Sequence, residues 1–481
     1  MRWLRQSSYA VVLGLVLALA GGGFLRFFGL GSRSLWADEF CTWHVSRLPV
    51  GESLRWGPEL TKPPLYQFAL RAISAEAKPP EWILRLPACL AGMLTIAAVS
   101  VLAWRMGGQT VGVSAAALVA FNFLQIRYSQ EARPYSMLVL GVTIMTLLWH
   151  ELVTRPTRRV WIGYVLAAAL SFHAHYLAAL VLAAHVAWWL LYVMPRRPAN
   201  RLDLRAVGAL AAVALLCLPM IVHYLRFRTS VFQGLSWIRP ATWSGALGVL
   251  EAITFGPIWV VGVLTPALLL WVLRGRREPD RREAPTLLVI WLLCSWFGLL
   301  VISWAAHPAL VDRYALPAAI PAIVLPLLVA GRLHRALPVV IAVVFMGVGL
   351  RTWAQRNLEI DPGFRELSEY LVQHADPQKD LIVLTIDRKT HPDWDDAERL
   401  PFVYYPPGEL PTAELHLAPD GVTAENDVLD DPRAMYLIVL WADPFAILEK
   451  AGRRAEIIRA EGREFTQLLF SPYRLVRIAP K

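Results

Sequence analysis

The sequence predicts a polytopic α-helical membrane protein with a small α/β domain at its carboxyl end. Three observations lead to this fold class. First, 56% of the 481 residues are hydrophobic and only 17% are charged, whereas a soluble globular protein has about 25% charged residues. Second, apolar runs long enough to cross a bilayer follow one another up to residue 353. Third, arginine is concentrated in the short loops between these runs.

Eleven apolar runs approach the length that a spanning helix needs, about 20 residues. They predict spans at 9–29, 83–104, 109–127, 135–153, 160–174, 177–194, 204–225, 248–273, 285–305, 314–331 and 336–353. The stretch 161–194 is divided because a single helix of that length would measure about 51 Å, against a hydrocarbon core of about 30 Å. The first run continues to Leu30, so we expect a retained helix and not a cleaved signal peptide.

The net charge of +10 arises mainly from basic residues in the loops between the predicted spans, which set the membrane topology, and does not indicate nucleic-acid binding. Residues 354–481 contain 15 basic and 23 acidic residues, so the positive excess lies upstream, between the apolar runs. If the amino terminus is cytoplasmic, all six cytoplasmic segments contain arginine. The loops predicted outside are 30–82, 128–134, 173–176, 226–247 and 306–313, together with the tail.

The chain therefore divides into a membrane domain at 1–353, which includes the first outer loop 30–82, and an extracytoplasmic domain at 354–481. In the second domain, Gly363–Ala375 has helical apolar spacing, and Leu381–Ile386 and Met435–Trp441 have the composition of buried strands. It contains no glycine-rich phosphate loop and no convincing metal spacing, so we expect a supporting or acceptor-handling role.

An adjacent pair of carboxylates, Asp38 and Glu39, follows the first predicted span by a few residues. One interpretation is that they are solvated loop acids or caps of a short helix that opens at Phe40. The other is functional, because ionisable groups held beside a membrane often have a function. In that case a carboxylate takes a proton from an acceptor hydroxyl as general base, or binds a divalent cation.

Lys62 begins the segment Lys62-Pro63-Pro64-Leu65-Tyr66 in the same loop. The two prolines fix the backbone, so the ammonium group has little freedom, and a positioned point charge suits a phosphate. The alternative is a lysine that snorkels beside a proline turn.

Arginine on the outer face opposes the topological bias and needs another explanation. Arg133 is a candidate phosphate contact oriented by Glu131, and a structural Arg–Glu pair is the alternative. Arg313 is either a phosphate clamp or half of a local salt bridge with Asp312. His173 and His175 are a poor ligand pair for a metal, because residues two apart do not share a helix face.

Four motifs, taken in order, resemble the bacterial GT-C glycosyltransferases, and more closely the branch of protein O-mannosyltransferases and the lipid A aminoarabinose transferase. They are Ser34-Leu35-Trp36-Ala37-Asp38-Glu39, Lys62-Pro63-Pro64-Leu65-Tyr66, Tyr128-Ser129-Gln130-Glu131-Ala132-Arg133-Pro134-Tyr135 and His175-Tyr176. The resemblance covers the whole membrane region and implies a GT-C-like fold.

The resemblance also implies an inverting glycosyltransferase, which moves a hexose or pentose from a polyprenyl-phosphate donor to a hydroxyl acceptor at the outer face. Asp38 would be catalytic, with Glu39 beside it. The donor phosphate would be bound by Lys62, Arg133, Arg313 and Tyr66, and the substrates would be contacted by Glu131, Tyr135, His175, Tyr176 and Tyr314.

The implied location is the bacterial inner (plasma) membrane, with several spans and an extracytoplasmic carboxyl-terminal domain. The implied partners are the donor lipid, a glycan, lipid or protein acceptor, and membrane lipids, with no nucleic acid. In the aminoarabinose transferases a glutamate of a metal site precedes the matching lysine; Thr61 holds that place here, so a divalent cation stays open as a cofactor. Sugar and acceptor do not carry over from the resemblance.

A different class of function is a transporter or flippase for an amphipathic lipid. That class predicts ionisable residues near mid-membrane and broken helices in matching places of two halves. The sequence shows few mid-span charges and no matching halves.

Overall fold

The structure, a computed structural model, describes residues 9–196, 203–235, 237–275, 283–357, 363–387, 395–417 and 427–439, and the short segments 455–457, 459–460, 463–464 and 474–478. Parts of the arginine clusters that predict the topology lie outside these residues, namely Arg2, Arg5, Arg197, Arg201 and positions 276–282.

The chain divides into two compact units. The helical unit comprises Met1–Leu30, Thr61–Leu70 and Arg85–Gln355, and the sheet unit comprises Gly31–Leu60, Arg71–Leu84 and Arg356–Lys481. The sequence assigned the whole of loop 30–82 to the membrane domain, whereas most of that loop groups with the carboxyl-terminal region. The physical reason is that apolar side chains of the loop, led by Phe40, share a core with that region.

Helices make up nearly all of the chain described up to residue 357. In order they are α1 Tyr9–Phe27, α2 Ala37–Arg47, α3 Val50–Ser53, α4 Leu65–Ile73, α5 Glu81–Gly107, α6 Gln109–Phe121, α7 Phe123–Ser129, α8 Tyr135–Thr154, α9 Arg158–Ala174, α10 Ala178–Trp188, α11 Leu204–Arg226, α12 Arg228–Gln233, α13 Trp243–Ile253, α14 Pro257–Trp259, α15 Thr265–Gly275, α16 Glu283–Leu292, α17 Gly298–Ala305, α18 Asp312–Leu333 and α19 Leu337–Asn357. Short π-helical turns continue α10, join α14 to α15 and join α16 to α17.

Among the described residues, eight helices are long and apolar enough to cross a membrane, or up to ten if each of two bent pairs counts as one span. The bent pairs are α6 with α7, at 62°, and α13 with the helix that follows it, at 94°. The predicted span 160–174 corresponds to α9, which has 17 residues. The polytopic helical fold is confirmed, and the count of eleven spans stays a prediction.

Helix α18 is the centre of the helical unit. Every residue from Arg313 to Ala330 is buried, and the helix packs against α6, α8, α13 and α16. A membrane helix that is apolar on all sides can face lipid or protein, and here protein covers nearly all of it. Its amino-terminal end therefore holds Asp312 and Arg313 in a fixed position.

A polar group within the helical unit ties three helices together. The His185 ring of α10 meets Thr146 Oγ1 of α8 at 3.0 Å and the Tyr164 hydroxyl of α9 at 3.3 Å. The ring also stacks on Trp149, with centroids 5.5 Å apart. Both ring nitrogens thus have partners, as a buried imidazole requires.

Pairs of polar side chains connect the helices at the end where α8 finishes. Arg105 and Glu151 approach to 3.1 Å and join α5 to α8. His150 and Glu283 approach to 3.5 Å and join α8 to α16. These contacts lie about 20 to 30 Å from Tyr135 and Asp312, which are at the opposite ends of α8 and α18, because a helix rises about 1.5 Å per residue.

The sheet unit contains a five-stranded mixed sheet and short helices. Two of its helices are α20 Phe364–His374 and α21 Asp395–Tyr404. The strands of the sheet lie in the order β2-β1-β3-β7-β4, and their bounds are β1 Asp380–Asp387, β2 Thr412–Leu417, β3 Ala434–Val439, β4 Ala455–Ile457 and β7 Arg474–Ile478. Two further strands, β5 Arg459–Ala460 and β6 Arg463–Glu464, form a separate pair. Strand β1 pairs in parallel with β2 and β3. The predicted helix and both predicted strands are confirmed, although positions 440 and 441 of the second strand lie outside the described residues.

The sidedness of the loop between α9 and α10 is a testable consequence of the predicted topology. We expect alkaline phosphatase fused after His175 to be active, because the enzyme matures only outside the cytoplasm and this loop is predicted to lie there. A fusion after Arg155, in the next loop towards the amino terminus, should be inactive. Low activity after His175 together with high activity after Arg155 would show that the orientation in the membrane is the reverse of the predicted one.

Candidate active site

A sharp break between α6 and α7 creates the segment that carries most candidate residues. Asn122 occupies the break, and its side-chain oxygen accepts the backbone N–H of Gln125 at 3.1 Å as an N-cap of α7. Its Nδ2 donates to the carbonyl groups of Ile253 and Thr254 at 3.2 and 2.8 Å. The Asn122 side chain therefore caps the start of α7 and also bonds backbone carbonyls at the end of α13.

Arg26, near the end of α1, also stabilises the break between α6 and α7. Its guanidinium is fully buried and donates to the carbonyls of Val119 and Ala120 at 3.1 and 3.0 Å. These carbonyls lie at the end of α6, where the bend removes their helical partners. Gln130 acts similarly on α1, because its Nε2 donates to Leu25, Arg26 and Phe28. Both contacts fix the position of the short loop 130–134.

Three buried cationic side chains converge on His175. Lys62, Arg133 and Arg313 are exposed by only 4, 3 and 6%. Burial lowers the pKa of His175 well below its usual value, and the charges of these three side chains lower it further. The imidazole is therefore neutral. We call Lys62, Arg133, Arg313 and His175 the cationic cluster.

Aromatic rings line the cationic cluster. The rings of Tyr135 and Tyr314 lie 5.6 Å each from that of His175 and 6.3 Å from one another. Tyr128 packs edge-on against Tyr135 at 5.3 Å. The Arg313 guanidinium lies over the Trp237 ring, 4.6 Å from its centroid, a contact that orients a planar cation.

Carboxylates near the cluster have partners of their own. Glu131 accepts from Arg127 Nε at 3.0 Å, within one helical turn. Asp312 accepts from the Tyr128 hydroxyl at 3.1 Å and from the Arg313 backbone N–H at 2.7 Å. The structural Arg–Glu pair left open by the sequence thus exists, formed by Arg127 and Glu131.

The remaining candidates of the helical unit lie in different surroundings. Tyr66 is fully buried on α4. The Tyr176 hydroxyl meets His223 Nδ1 at 3.3 Å, and its ring packs against Tyr224 at 5.1 Å. His173 bonds the carbonyl of Ala169 at 2.8 Å. Tyr176 thus packs on α11, and its predicted contact with substrate stays a prediction.

Asp38 and Glu39 belong to the sheet unit and begin α2, one turn earlier than the opening at Phe40 that the sequence suggested. Glu39 is buried, and its carboxylate accepts the backbone N–H of Trp36 at 3.4 Å, a capping contact. Asp38 is partly exposed on the same first turn. The catalytic roles of both stay predictions.

Within the part of the chain that the structure describes, no three His, Cys, Asp or Glu side chains are grouped so that they could hold a metal ion. A divalent cation as cofactor stays a prediction. The chemistry derived below uses side chains of the chain.

Sequence reasoning missed two residues that position the cluster, Arg26 and Asn122. An arginine at the end of an apolar run and an asparagine inside another were visible signals, because each is costly in a membrane without backbone partners. It also missed Trp237, which lies 76 residues before Arg313 in the sequence.

Known proteins share both sequence and fold features with this chain. The family model of dolichyl-phosphate-mannose-protein mannosyltransferase matches residues 61–223, about a third of the chain. That segment includes Lys62, Arg133 and His175. No curated protein sequence matches the chain.

Solved structures match over nearly the whole chain. ArnT from Cupriavidus metallidurans in the apo state has a TM-score of 0.54 at 15% identity, over 97% of both chains. The same protein bound to undecaprenyl phosphate has a TM-score of 0.53 at 16% identity, again over 97% of both. The chain has the GT-C fold. The Archaeoglobus fulgidus oligosaccharyltransferase AglB, in complex with an inhibitory peptide and a dolichol-phosphate, has a TM-score of 0.50 at 14% identity, over 82% of this chain and 64% of that chain.

At identities of 14 to 16% these likenesses establish the fold of this chain and not its substrates. The family model and the shared fold support glycosyl transfer as the general type of reaction.

The low pKa of His175 predicts how stability depends on pH. Below about pH 6.5 the unfolded chain binds a proton at this position and the folded chain does not, so stability falls as the pH falls. His175→Gln should reduce the stability lost between pH 7 and pH 5, by about 2 kcal/mol at pH 5. Thermal unfolding of the purified protein at both pH values measures this, with the exposed His334→Gln as control. Equal pH dependence in wild type and His175→Gln would contradict a neutral buried imidazole.

Proposed function

We propose that this protein transfers a sugar from a polyprenyl-phosphate donor to a hydroxyl acceptor, with inversion at the anomeric carbon. The observation that carries the proposal is the burial of Lys62, Arg133 and Arg313 around one neutral histidine. The family model, the undecaprenyl-phosphate complex of ArnT and the dolichol-phosphate complex of AglB support a lipid-linked phosphate as the occupant.

The charge balance of the cationic cluster favours an anionic ligand. Lys62, Arg133 and Arg313 carry three positive charges, and Asp312 contributes one negative charge beside Arg313. The charge of Glu131 is balanced by Arg127. Cationic side chains that are shielded from water attract an anion more strongly than cations at the surface do. A phosphate diester or monoester is such an anion, and arginine binds it through two parallel hydrogen bonds.

The reaction follows from these charges. The oxygen of the acceptor hydroxyl attacks the anomeric carbon while its proton passes to Asp38, the general base predicted from the sequence. The bond between that carbon and the phosphate oxygen breaks, and its electron pair stays on the phosphate. Lys62, Arg133 and Arg313 stabilise the charge that accumulates there, most strongly because they are shielded from water.

The aromatic side chains suit the sugar. The rings of Tyr135 and Tyr314 lie beside His175 of the cationic cluster, and a tyrosine combines an apolar ring with a polar hydroxyl, as the two kinds of surface on a sugar require. A neutral His175 donates or accepts a hydrogen bond without adding a fourth charge. The polyprenyl chain would lie between the apolar helices of the same unit.

The transporter alternative has one feature in its favour, the two bent helix pairs α6–α7 and α13–α15. Broken helices in transporters occupy corresponding places in two repeated halves. Here the first bend carries the loop of Arg133 and is fixed by Asn122, which bonds the end of α13. The bends thus have a local role in holding the site.

The role of Asp38 separates a transferase from a lipid carrier. We expect Asp38→Asn to lower turnover by about 100-fold or more, because the amide cannot take the acceptor proton. Binding of undecaprenyl phosphate should stay unchanged. Turnover is measured as release of polyprenyl phosphate from the donor lipid that co-purifies with the protein and is identified by mass spectrometry. Undiminished turnover in Asp38→Asn would remove Asp38 as the base.

The cationic cluster should control binding of the lipid phosphate. We expect Arg133→Gln and Arg313→Gln each to weaken binding of undecaprenyl phosphate by about 10-fold or more, because each removes a charge-assisted hydrogen bond in a buried site. Arg105→Gln is the matched control, since Arg105 lies at the far end of α5 in an ion pair with Glu151. Equal losses in all three variants would show that net charge alone attracts the lipid.

A further inference from the structure

We infer that the carboxyl-terminal domain is a positioning device for α2, the helix that carries Asp38, and that Tyr405 is its central positioning residue. This inference rests on the proposed function, in which Asp38 is the base. The inference concerns contacts within the sheet unit alone, and it gives the carboxyl-terminal domain a defined part in the reaction.

The hydroxyl group of Tyr405 connects three parts of the sheet unit. It accepts the backbone N–H of Leu35 at 3.1 Å, two residues before α2 begins. It donates to Glu81 Oε1 at 2.6 Å. Burial, and then the bond to Glu81, raise the pKa of Tyr405, so the group stays protonated and keeps its donor. A single hydroxyl thus fixes the chain at the entrance to α2.

Arg365 of α20 completes this network. Its guanidinium forms an ion pair with Glu81 and donates to the carbonyl of Gly31 at 3.2 Å. It also lies 5.9 Å from the centroid of the Tyr405 ring. The same carboxylate of Glu81 therefore holds a tyrosine and an arginine of the carboxyl-terminal domain, and both of them hold the backbone before α2.

The start of α20 makes a second attachment to this backbone. The Phe364 N–H donates to Ser34 Oγ at 3.0 Å. Gly363 lies so close that a Cβ at this position would collide with Ser34 Oγ. A larger residue at position 363 would therefore displace the Ser34 hydroxyl and disturb its bond to Phe364.

One face of α2 is packed into the core of the domain. Phe40 is fully buried, with its ring 6.0 Å from Phe364 and 5.9 Å from Tyr405 in edge-to-face geometry. Trp43 packs against Tyr404 at 4.9 Å, nearly perpendicular. These contacts are non-local in sequence by more than 320 positions, so α2 depends on the domain for its place.

Asp38 lies on the other face of the same helix. Successive residues of an α-helix are about 100° apart, so Asp38 is about 160° from Phe40 around the axis. The side chain of Asp38 is accordingly half-buried, whereas Glu39 and Phe40 are buried. The domain therefore holds α2 through Phe40 and Trp43, and Asp38 is a half-buried residue on the first turn of the same helix.

Tyr405→Phe tests the inference, because it removes the hydroxyl and keeps the ring. We expect turnover to fall by about 10-fold or more while the KM for the donor lipid changes less than about twofold, since small displacements of a base cost rate and not donor binding. Amide hydrogen exchange at residues 35–41 should become faster, and exchange in β1 and β3 should stay unchanged.

Tyr436→Phe is the matched control within the same domain. Its hydroxyl bonds the His374 carbonyl at 3.4 Å and does not contact α2. We expect wild-type turnover in this variant. Equal loss of turnover in Tyr405→Phe and Tyr436→Phe, or wild-type turnover in Tyr405→Phe, would overturn the positioning role. Exchange at residues 35–41 reports the attachment even if Asp38→Asn retains turnover, so failure of the inference and failure of the proposed function are distinguishable.

Discussion

The burial of three cationic side chains around one neutral histidine is the constraint on which the site depends. Lys62, Arg133 and Arg313 come from three separate segments, and each would be better hydrated at the surface. Each is held by rigid elements: two prolines after Lys62, the loop that Gln130 fixes before α8, and the buried helix α18 after Arg313. Cations held together in a buried place favour the binding of an anion, and the proposed anion is the phosphate of the donor lipid.

In the proposed reaction, the two units supply different groups. The helical unit contains the buried cations and the apolar helices that are proposed to bind a polyprenyl phosphate. The sheet unit holds the carboxylate predicted to act as base, on a helix that takes its place from Phe364, Tyr404 and Tyr405.

The sequence predicted the fold class and most of the buried charges because both follow local rules. Apolar runs of bilayer length and short arginine-containing loops predict the helices, and Arg133 and Arg313 were singled out because the predicted topology places them outside, where arginine is less common. Periodicity likewise located α20, β1 and β3. Contacts between residues far apart in the sequence could not be predicted from local patterns. No pattern around Asn122 indicates that it bonds the end of α13, and none around Leu35 indicates that it bonds Tyr405. The first outer loop was placed with the membrane domain for the same reason, since its core partners lie more than 320 residues away.

An experimental structure of the protein with undecaprenyl phosphate tests the central claim most directly. The account predicts that phosphate oxygens lie within about 3.2 Å of nitrogen atoms from at least two of Lys62, Arg133 and Arg313, beside the rings of Tyr135 and Tyr314. A phosphate bound elsewhere on the chain, with these three side chains out of hydrogen-bonding reach, would contradict it.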